Sequence, residues 1–300
     1  MDISFIIPSF NGAHKLLKSL PSVFKNILNT NCKIIIVVDG STDNSIEILK
    51  NFKNDSLHFI NQSNQGRSLA RNNGINYSES EYLFLLDDDI RIAENCLKIH
   101  QEHHLKFPNS ILIGKVNLEK SEFDKDFQYY LQSSYEKWDE NFQTRTLITI
   151  DNFKFTACHL SLSKMTMDKL GGFDHRLHDA EDYDLGMRAI DLNIPIYFDP
   201  DAISWHNDRL TCKQYIKRQI EYKRSHKLLE NLQKKYKKDV FIPIKKPKNI
   251  FKLMLLHFLK NDFWVKLIDD NMLKMSSKKF KFKFYATVIY AHTLKGMGII

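Results

Sequence analysis

Three consecutive carboxylates, Asp87, Asp88 and Asp89, directly follow an apolar run of strand length, Tyr82–Leu86. Adjacent acids repel one another, and a divalent cation bridged to a phosphate would relieve that repulsion. Hard oxygen ligands suit Mg²⁺ or Mn²⁺, and such ions commonly keep one or two protein carboxylates while substrate phosphates complete the shell. In extended backbone, Asp87 and Asp89 would project to one side and Asp88 to the other. The run therefore indicates a metal and phosphate site, and it leaves open the alternative of an acidic turn after a core strand.

The elements that must position these carboxylates follow from hydrophobic periodicity. Up to about residue 116, apolar runs alternate with amphipathic stretches, which predicts parallel strands with right-handed crossovers and helices on both faces of the sheet. Strands are predicted over 3–8, 33–39, 57–60, 82–87 and 110–116, and helices over 14–28, 42–52 with Thr42 as cap, 67–77, and 93–106 before Pro108.

Three polar loops leave these predicted strands at one edge of the sheet, over residues 8–11, 39–43 and 87–89. Ligands of open parallel sheets bind beyond the carboxyl ends of the strands, near a switch in strand order. The three loops therefore predict a nucleotide site at this edge.

The alternation fails after Val116. Residues 119–141 are rich in Tyr, Gln, Glu and Lys without a clear period, and they are predicted to pass over the sheet as an irregular excursion. Regular structure is predicted again over 153–162, followed by a helix over 163–170 closed by Gly171-Gly172 and a helix over 181–192. From about residue 211 the chain is predicted to form basic helices. The segment 243–247 interrupts these helices, and the lysines in and beside it are Lys245, Lys246 and Lys248.

Charge divides the chain in two. Residues 1–208 hold 21 basic and 30 acidic groups, whereas residues 209–300 hold 23 basic and 6 acidic groups. The basic part predicts an anionic partner, for which a membrane surface, a phosphorylated lipid and nucleic acid all qualify. Nucleic acid is the minor candidate because no recognised binding motif accompanies the charge.

Two late apolar segments, 251–268 and 285–294, are too charged or too short to span a bilayer. Both could lie in a membrane interface with lysines facing anionic headgroups, or could be ordinary helices packed on the catalytic domain. The start of the chain lacks the regions of a signal peptide, and the four cysteines lack any Cys-x-x-Cys pair. We therefore expect a cytoplasmic protein with reduced thiols, loosely bound to the cytoplasmic membrane face through residues after about 245.

Six motifs occur in a characteristic order: residues 6–11 (IIPSFN), 37–43 (VVDGSTD), 64–74 (NQGRSLARNNG), 87–89 (DDD), 171–174 (GGFD) and 181–182 (ED). Together they resemble the family 2 glycosyltransferases, which have the A-type glycosyltransferase fold, an α/β architecture with a Rossmann-like, mainly parallel mixed sheet, and use nucleotide-sugar donors. The match covers residues 1–225 and implies a catalytic domain with a nucleotide-binding half (1–116) and an acceptor half (117–225). Residues 226–300 lie outside this resemblance and are predicted to form a basic, largely helical extension.

The resemblance implies a role for each motif on the donor side. Asp39 would contact the base or ribose, and Arg71 would reach the nucleotide or its phosphates through its fork of donors. Without the family, Asp39–Asp43 is simply a helix cap and Arg71 a surface helix residue. The full set of implied nucleotide-binding residues is Pro8, Ser9, Phe10, Asn11, Asp39, Ser41, Gly66, Arg71, Asp87 and Asp88.

The metal, Mn²⁺ or Mg²⁺, is implied to bind Asp89 directly, with Asp87 on the ribose and metal side. His206 resembles a further ligand of some members, and an imidazole would tilt preference toward Mn²⁺. The alternative is a structural role, which a lone histidine has more often. The metal would stabilise negative charge on the departing nucleoside diphosphate.

On the acceptor side, Asp182 is implied to be the catalytic base, and Glu181 could orient the acceptor. A helix N-terminus favours ionised carboxylate, although acidic first turns are common without catalytic duty. Residues 156–159 (TACH) depart from the small segment that many members carry near the acceptor. Basic and aromatic residues that could close over the diphosphate, or simply begin the basic tail, are Arg209, Lys213, Arg218, Tyr222 and Arg224.

These expectations combine into a metal-dependent, inverting transferase that moves a sugar, hexosyl or N-acetylhexosaminyl, from a nucleoside diphosphate such as UDP to a glycan or lipid-linked hydroxyl. One alternative is a non-catalytic membrane or nucleic-acid adaptor that uses the basic tail. Another, nucleotidyl transfer, would need a glycine-rich first loop, and Asn11-Gly12 is too poor in glycine for that.

Overall fold

The computed structural model describes residues 1–207, 209–232 and 247–300. The chain forms two compact units. The first comprises Met1–Leu118 and Trp138–Asn207, and the second comprises Glu119–Lys137 and Asp208–Ile300. The predicted basic residues Lys245 and Lys246 lie outside the described residues, and the predicted domain boundary near residue 225 stays a prediction.

The first unit is an α/β layer structure built on a mixed sheet of nine strands. Its strands are β1 (Ile3–Ser9), β2 (Lys33–Asp39), β3 (Leu57–Gln62), β4 (Tyr82–Leu86), β5 (Ile90–Ile92), β6 (Ile111–Leu118), β7 (Thr146–Ile148), β8 (His159–Ser163) and β9 (Ile196–His206). Its helices are α1 (Ala13–Ile27), α2 (Ser45–Asn51), α3 (Arg67–Tyr77), α4 (Cys96–Lys106), α6 (Lys164–Leu170) and α7 (Glu181–Asp191). Most of α5 (Asp126–Asp139) belongs to the second unit.

The sheet has the order β3-β2-β1-β4-β8-β6-β9-β5, and β7 also pairs with β9. Strands β3, β2, β1 and β4 are parallel neighbours, whereas β8 is antiparallel to both β4 and β6. The chain moves outward from β1 to β2 and β3 and then returns to place β4 on the other side of β1. The switch in strand order therefore lies between β1 and β4, where the doubly wound arrangement opens a crevice.

The central strands are buried on both faces because their apolar runs are continuous. All residues of β1 and β4 are buried. One face packs Phe5 and Phe84, stacked at 4.5 Å between ring centroids, against Leu16 and Leu20 of α1. The other face contributes Ile6 to a core with residues of α3, α6 and α7. A near-continuous apolar pattern is what a parallel strand covered by two helical layers requires, so the predicted A-type fold is confirmed.

Several predicted elements need correction. Helix α2 begins at Ser45 rather than after Thr42, since Asp43 accepts hydrogen bonds from the Ser45 N–H and hydroxyl. The predicted strand over 82–87 ends at Leu86, and the following residues turn, with the Ile90 N–H donating to the Asp87 carbonyl. The expected alternation of Asp87, Asp88 and Asp89 is therefore wrong.

Periodicity also missed β5, β7 and the eleven-residue β9. The segment Asp199-Pro200-Asp201 interrupts the apolar pattern of β9, and the register with β6 shifts between Gly114 and Lys115. A bulge of this kind breaks the period of two that identifies a strand. By contrast, α6 has the predicted ends, because the Ser163 hydroxyl accepts from the Thr166 N–H and Gly171 closes the helix at φ +77°.

The second unit is helical. It contains a short 3₁₀ turn, Lys120–Glu122, and the helices α5 (Asp126–Asp139), α8 (Cys212–Leu232), α9 (Ile250–Leu259), α10 (Asp262–Asp269) and α11 (Lys278–Gly296). The predicted irregular excursion over 119–141 is thus mostly the helix α5. Asp269 caps α8 by accepting from the Cys212 N–H at 2.6 Å, and Lys281 pairs with Asp126 at 2.8 Å. Throughout the described ranges, every helix is too short or too polar to cross a membrane.

Candidate active site

The tips of β1 and β4 meet at the switch point, as the polar loops predicted. The Ser9 hydroxyl donates to Asp88 Oδ2 at 2.8 Å, which joins the first loop to the carboxylate run. Gly12 permits this approach, because a Cβ at that position would collide with both the Ser9 hydroxyl and the Asp88 carboxylate. Pro8 is buried within β1, whereas Phe10 is half exposed.

The loops after β1 and β2 interlock through Asn11. Its N–H donates to the Ser41 hydroxyl at 2.9 Å, and its side-chain oxygen accepts from the Thr42 N–H at 2.8 Å. Asn11 has a φ of 48°, a left-handed conformation that asparagine tolerates better than most residues. The pairing holds two of the three predicted nucleotide-binding loops in a fixed relation.

Asp39 is buried at the end of β2 and holds the loop that leads from β3 into α3. Its Oδ1 accepts from the Gln62 side-chain amide and the Gln65 N–H, and its Oδ2 accepts from the Gly66 N–H, all at 2.8 Å. Gly66 has a φ of +89°, which favours glycine. Asp39 is therefore not the cap of α2, and in this structure it fixes the entry into α3. A carboxylate has about four acceptor positions, so contact with a nucleotide stays compatible with these bonds.

Arg71 is buried, contrary to the surface alternative, and lies at the centre of an ion-pair network. One guanidinium nitrogen donates to Asp87 at 2.6 Å and another donates to Glu181 Oε1 at 3.2 Å. Arg67 Nε donates to the same Glu181 oxygen at 2.7 Å and contacts Asp179. Burial by itself raises the pKa of Asp87, but the two guanidiniums outweigh it and hold that pKa below its usual range.

Two buried polar atoms of this network lack a partner among the described residues: Arg71 Nε and Glu181 Oε2. Buried polar groups are almost always hydrogen-bonded, so each of these two atoms indicates a position where a ligand would bond.

Asp182 follows Glu181 at the start of α7 and is half buried. Burial, followed by the charge of Glu181, raises the pKa of Asp182 to about 6, although Arg67 and Arg71 act in the opposite direction. The expectation that the helix N-terminus would favour its ionised form is not met, because desolvation dominates. A carboxylate with a pKa near neutrality accepts a proton more readily than an ordinary aspartate does.

Asp88 and Asp89 share a cation that sequence reasoning missed. Lys15 Nζ lies 3.2 Å from Asp88 Oδ1 and 3.0 Å from Asp89 Oδ2. His206 Nε2 lies 3.0 Å from Asp89 Oδ1. Burial and the neighbouring Asp89 charge raise the pKa of Asp88 to about 7. Burial also raises the pKa of Asp89, but His206 and Lys15 outweigh it and lower that pKa strongly.

The residues Asp89 and His206 fit a divalent cation. Two adjacent ligands of an octahedral ion at about 2.1 Å are separated by about 3 Å, close to the distance between these two ligand atoms. A carboxylate with an imidazole suits Mn²⁺. Within the described part of the chain, Asp87 does not join them in a three-ligand group, because it is engaged by Arg71.

A different group of metal-type ligands lies deeper in the sheet. Cys96, His100 and His159 have ligand atoms within 4.8 Å of one another, the one such group found across residues 1–207, 209–232 and 247–300. His159 Nδ1 is hydrogen-bonded with the Ser204 hydroxyl at 2.9 Å, and that hydroxyl also contacts the Lys115 carbonyl at 3.1 Å. Burial lowers the pKa of His159 to about 3 and raises that of the Cys96 thiol. The group is thus neutral and hydrogen-bonded within the core.

The segment Thr156–His159 that departs from the family pattern borders the site. The Cys158 carbonyl accepts from the Asp87 N–H at 3.2 Å, and burial, with the nearby Asp87 charge, raises the pKa of the Cys158 thiol to about 12. The residues proposed to close over the diphosphate belong to the second unit, where Arg209 pairs with Glu122 and Arg224 donates to the Gly296 carbonyl. Their role in closure stays a prediction.

Sequence reasoning missed Lys15 and Arg67 as members of the site. Arg67 lies inside a quoted motif, four residues before Arg71, so both arginines fall on one face of α3. That spacing is a usable signal. Lys15 lies in a helix whose other lysines are on the surface, and nothing in the sequence separates it from them.

Comparison with known proteins decides the family. The family model described as Glycosyl transferase family 2 matches residues 4–169, more than half of the chain. The chain belongs to glycosyltransferase family 2. The transferase is therefore an enzyme, which rules out the purely non-catalytic adaptor.

Relatives of the transferase include an uncharacterized glycosyltransferase of Rickettsia typhi, 26% identical over 302 residues, which cover 99% of this chain and 92% of the relative. The poly(ribitol-phosphate) beta-N-acetylglucosaminyltransferase TarP of Staphylococcus aureus is 31% identical over 121 residues, or 39% of this chain and 37% of TarP. Among solved structures, S. aureus TarS 1–349 in complex with UDP-GlcNAc has a TM-score of 0.57 and 16% identity, with 100% of this chain and 84% of that chain covered. At that identity the likeness to TarS concerns the fold.

Proposed function

We propose that the transferase moves one sugar from a uridine diphosphate donor to a hydroxyl of a glycan or lipid-linked acceptor, with inversion at the anomeric carbon, in the synthesis of a surface polysaccharide or glycoconjugate. The observation that carries the proposal is the half-buried Asp182 carboxylate, whose pKa is raised to about 6, beside the ion pairs that join Arg67 and Arg71 to the buried Glu181 and Arg71 to Asp87. One base and one displacement give inversion.

On the donor side, Asp89 and His206 would hold a divalent cation, which supplies Lewis-acid stabilisation of charge on the departing diphosphate. Arg71 is oriented by Asp87 and keeps its Nε without a partner in the described chain. A guanidinium offers a planar fork of donors that matches phosphate oxygens. The donor identity is supported by the TarS complex with UDP-GlcNAc, a protein of the same fold.

On the acceptor side, Glu181 Oε2 is buried and has no partner among the described residues. Its other oxygen is held by two arginines, so the free oxygen has a fixed direction. A fixed carboxylate oxygen can accept a hydrogen bond from a sugar hydroxyl and align it with Asp182. A buried acceptor left unmatched penalises ligands that lack the hydroxyl.

The test is a panel of UDP-sugars with the full chain, with and without Mn²⁺, in which release of UDP is measured. Metal-dependent release of UDP from one donor is expected. The variant Asp89→Asn should abolish this metal-dependent release, whereas Asp55→Asn, at an exposed position, should have no effect. NMR of the product would then give its anomeric configuration. A retained configuration would contradict the displacement by a single base.

The pH dependence gives a second test. Because Asp182 must be ionised to accept a proton, kcat/KM should rise with pH and level off above a midpoint near 6. A rate that is flat between pH 5 and 8 would exclude Asp182 as the base.

The cytoplasmic location also remains a proposal, supported by the four free cysteines.

A further inference from the structure

The second unit exposes large apolar side chains on its last three helices. Phe251 is 78% exposed, Met254 63% and Phe258 61%, although all three are hydrophobic. They recur at a helical spacing of three and four residues, so they lie on one face of α9. Leu256 and Leu259, on the opposite face, are buried. Helix α9 is therefore apolar on two faces, one of which packs within the unit.

The exposed side chains form a continuous surface around Trp264 of α10. The Trp264 ring lies 5.0 Å from Phe258 and 5.0 Å from Phe263 between centroids, and 5.8 Å from Phe284 of α11. Phe284 in turn stacks on Phe280 at 6.2 Å. We call this surface the aromatic face, and its members are Phe251, Met254, Leu255, Phe258, Phe263, Trp264, Phe280 and Phe284.

Lysines border the aromatic face. Residues 247–300 contain ten lysines but only three acidic residues. Lys252 follows Phe251, and Lys279 and Lys283 directly precede Phe280 and Phe284; all three lysines are exposed. Apolar side chains rimmed by cations match a bilayer interface, in which acyl chains lie beneath anionic headgroups. Tryptophan also favours that depth.

Helix α9 has ten residues and α10 has eight, far fewer than the roughly twenty needed to span a bilayer. The exposed apolar side chains also lie on one side of α9 rather than all around it. We therefore propose that the aromatic face inserts in the plane of an anionic membrane, with Lys252, Lys279 and Lys283 against lipid phosphates. This replaces the general expectation for residues after 245 with a defined surface.

The proposal is independent of the donor sugar and of the catalytic residues. A second copy of this chain is the other conceivable occupant of an apolar face, but ten lysines on each copy would repel one another across such an interface.

The experiment is flotation of the full chain with vesicles of phosphatidylcholine alone or with 30% phosphatidylglycerol. The wild type should bind the anionic vesicles selectively. The double variant Phe251→Ser/Phe258→Ser should lose about a hundredfold in partitioning at low and at physiological salt, since burial of each phenyl ring is worth roughly a tenfold change or more. The matched control Leu105→Ser/Leu192→Ser removes two exposed apolar residues of the first unit and should bind as the wild type does.

The charge contribution is tested with Lys279→Glu/Lys283→Glu, which should lose binding mainly at low salt, against the surface control Lys50→Glu/Lys53→Glu. With brominated acyl chains, Trp264 should account for most quenching of tryptophan emission, and the variant Trp264→Phe should lose it. Equal binding to neutral and anionic vesicles, or unchanged binding of the Phe251/Phe258 variant, would overturn the proposal. The proposal would also be overturned if the wild type bound no vesicles but formed a dimer, and if the Phe251/Phe258 variant dissociated that dimer.

Discussion

Two polar clusters lie one residue apart in the sheet of the first unit, and burial treats them in opposite ways. Around Asp87, Arg71 and Glu181, charges are retained and paired in the interior. Around His159, which pairs with Leu86 just before Asp87, the histidines are neutral and hydrogen-bonded to serines. They are His100, His103, His104 and His159. We refer to the two polar clusters as the charged cluster and the histidine cluster.

The difference shows what a buried polar group must have in order to persist. An unpaired charge in the interior is very costly, so a histidine without a carboxylate partner is neutral there, and an arginine is buried only with acids around it. The histidine cluster retains no charge and fits a structural role. Both clusters contain buried atoms without a partner among the described residues: Arg71 Nε and Glu181 Oε2 in the charged cluster, and His103 Nδ1 and His104 Nδ1 in the histidine cluster. Only in the charged cluster do these atoms belong to charged groups, as expected of a site that binds a polar ligand.

The largest expected effect concerns the base beside the charged cluster. Asp182→Asn should lower turnover by about 10²–10⁴-fold, the usual contribution of a positioned base. Its melting temperature should be unchanged or higher, because the ionised carboxylate is disfavoured by burial. Asp191→Asn, an exposed position on the same helix, is the control. Normal turnover by Asp182→Asn would remove the functional distinction between the clusters.

The histidine cluster should make the fold sensitive to acid. Burial lowers the pKa of His103 to about 3 and that of His104 to about 4, so the unfolded chain binds more protons below the ordinary histidine pKa. Stability is therefore full above about pH 7 and falls as the pH decreases through about 6.5, by about 2 kcal/mol for each of these residues at pH 5.

Urea unfolding at pH 7.5 and pH 5 measures this difference. The variant His104→Gln should lose less stability between the two pH values than the wild type does, by about the share of one histidine. If both proteins lose the same amount, His104 does not titrate as its burial requires.

A matched pair of glycine substitutions sharpens the comparison. A Cβ at Gly12 would collide with Ser9 and Asp88 of the site, and a Cβ at Gly114 would collide with the His159 ring. Each overpacking should cost about 1–3 kcal/mol, but the cost should appear in donor binding for one variant and in the free energy of unfolding for the other. Gly12→Ala should weaken binding of the donor by roughly tenfold or more, whereas Gly114→Ala should lower the free energy of unfolding and leave the KM for the donor unchanged.

The smallest effect is expected at Lys15, which pairs with Asp88 and Asp89. The ammonium competes with a divalent cation for these carboxylates, so Lys15→Gln should tighten Mn²⁺ binding in the absence of donor by about tenfold, a modest part of the Coulomb energy of such a pair. Calorimetric titration with Mn²⁺ measures it, with the surface variant Lys18→Gln as control. Weaker binding in Lys15→Gln would mean that Lys15 supports the metal site.

The sequence by itself determined the parallel half of the first unit, strands β1 to β4, and predicted the sheet edge at which the candidate site lies. Continuous apolar runs such as Tyr82–Leu86 require a sheet covered on both faces, and parallel crossovers bring the polar residues after each strand to one edge. Local rules also fixed helix α6, because Ser163 and Gly171 carry their capping geometry in their own side chain and backbone.

Only the tertiary structure decided which partner each charged residue meets. Arg71 and Glu181 are 110 positions apart and Lys15 and Asp88 are 73 positions apart, so no local pattern could reveal either pair. The raised pKa of Asp182 likewise reverses what its helix position suggested. Desolvation and pairing depend on what surrounds a group in space, whereas periodicity and capping depend on its neighbours along the chain.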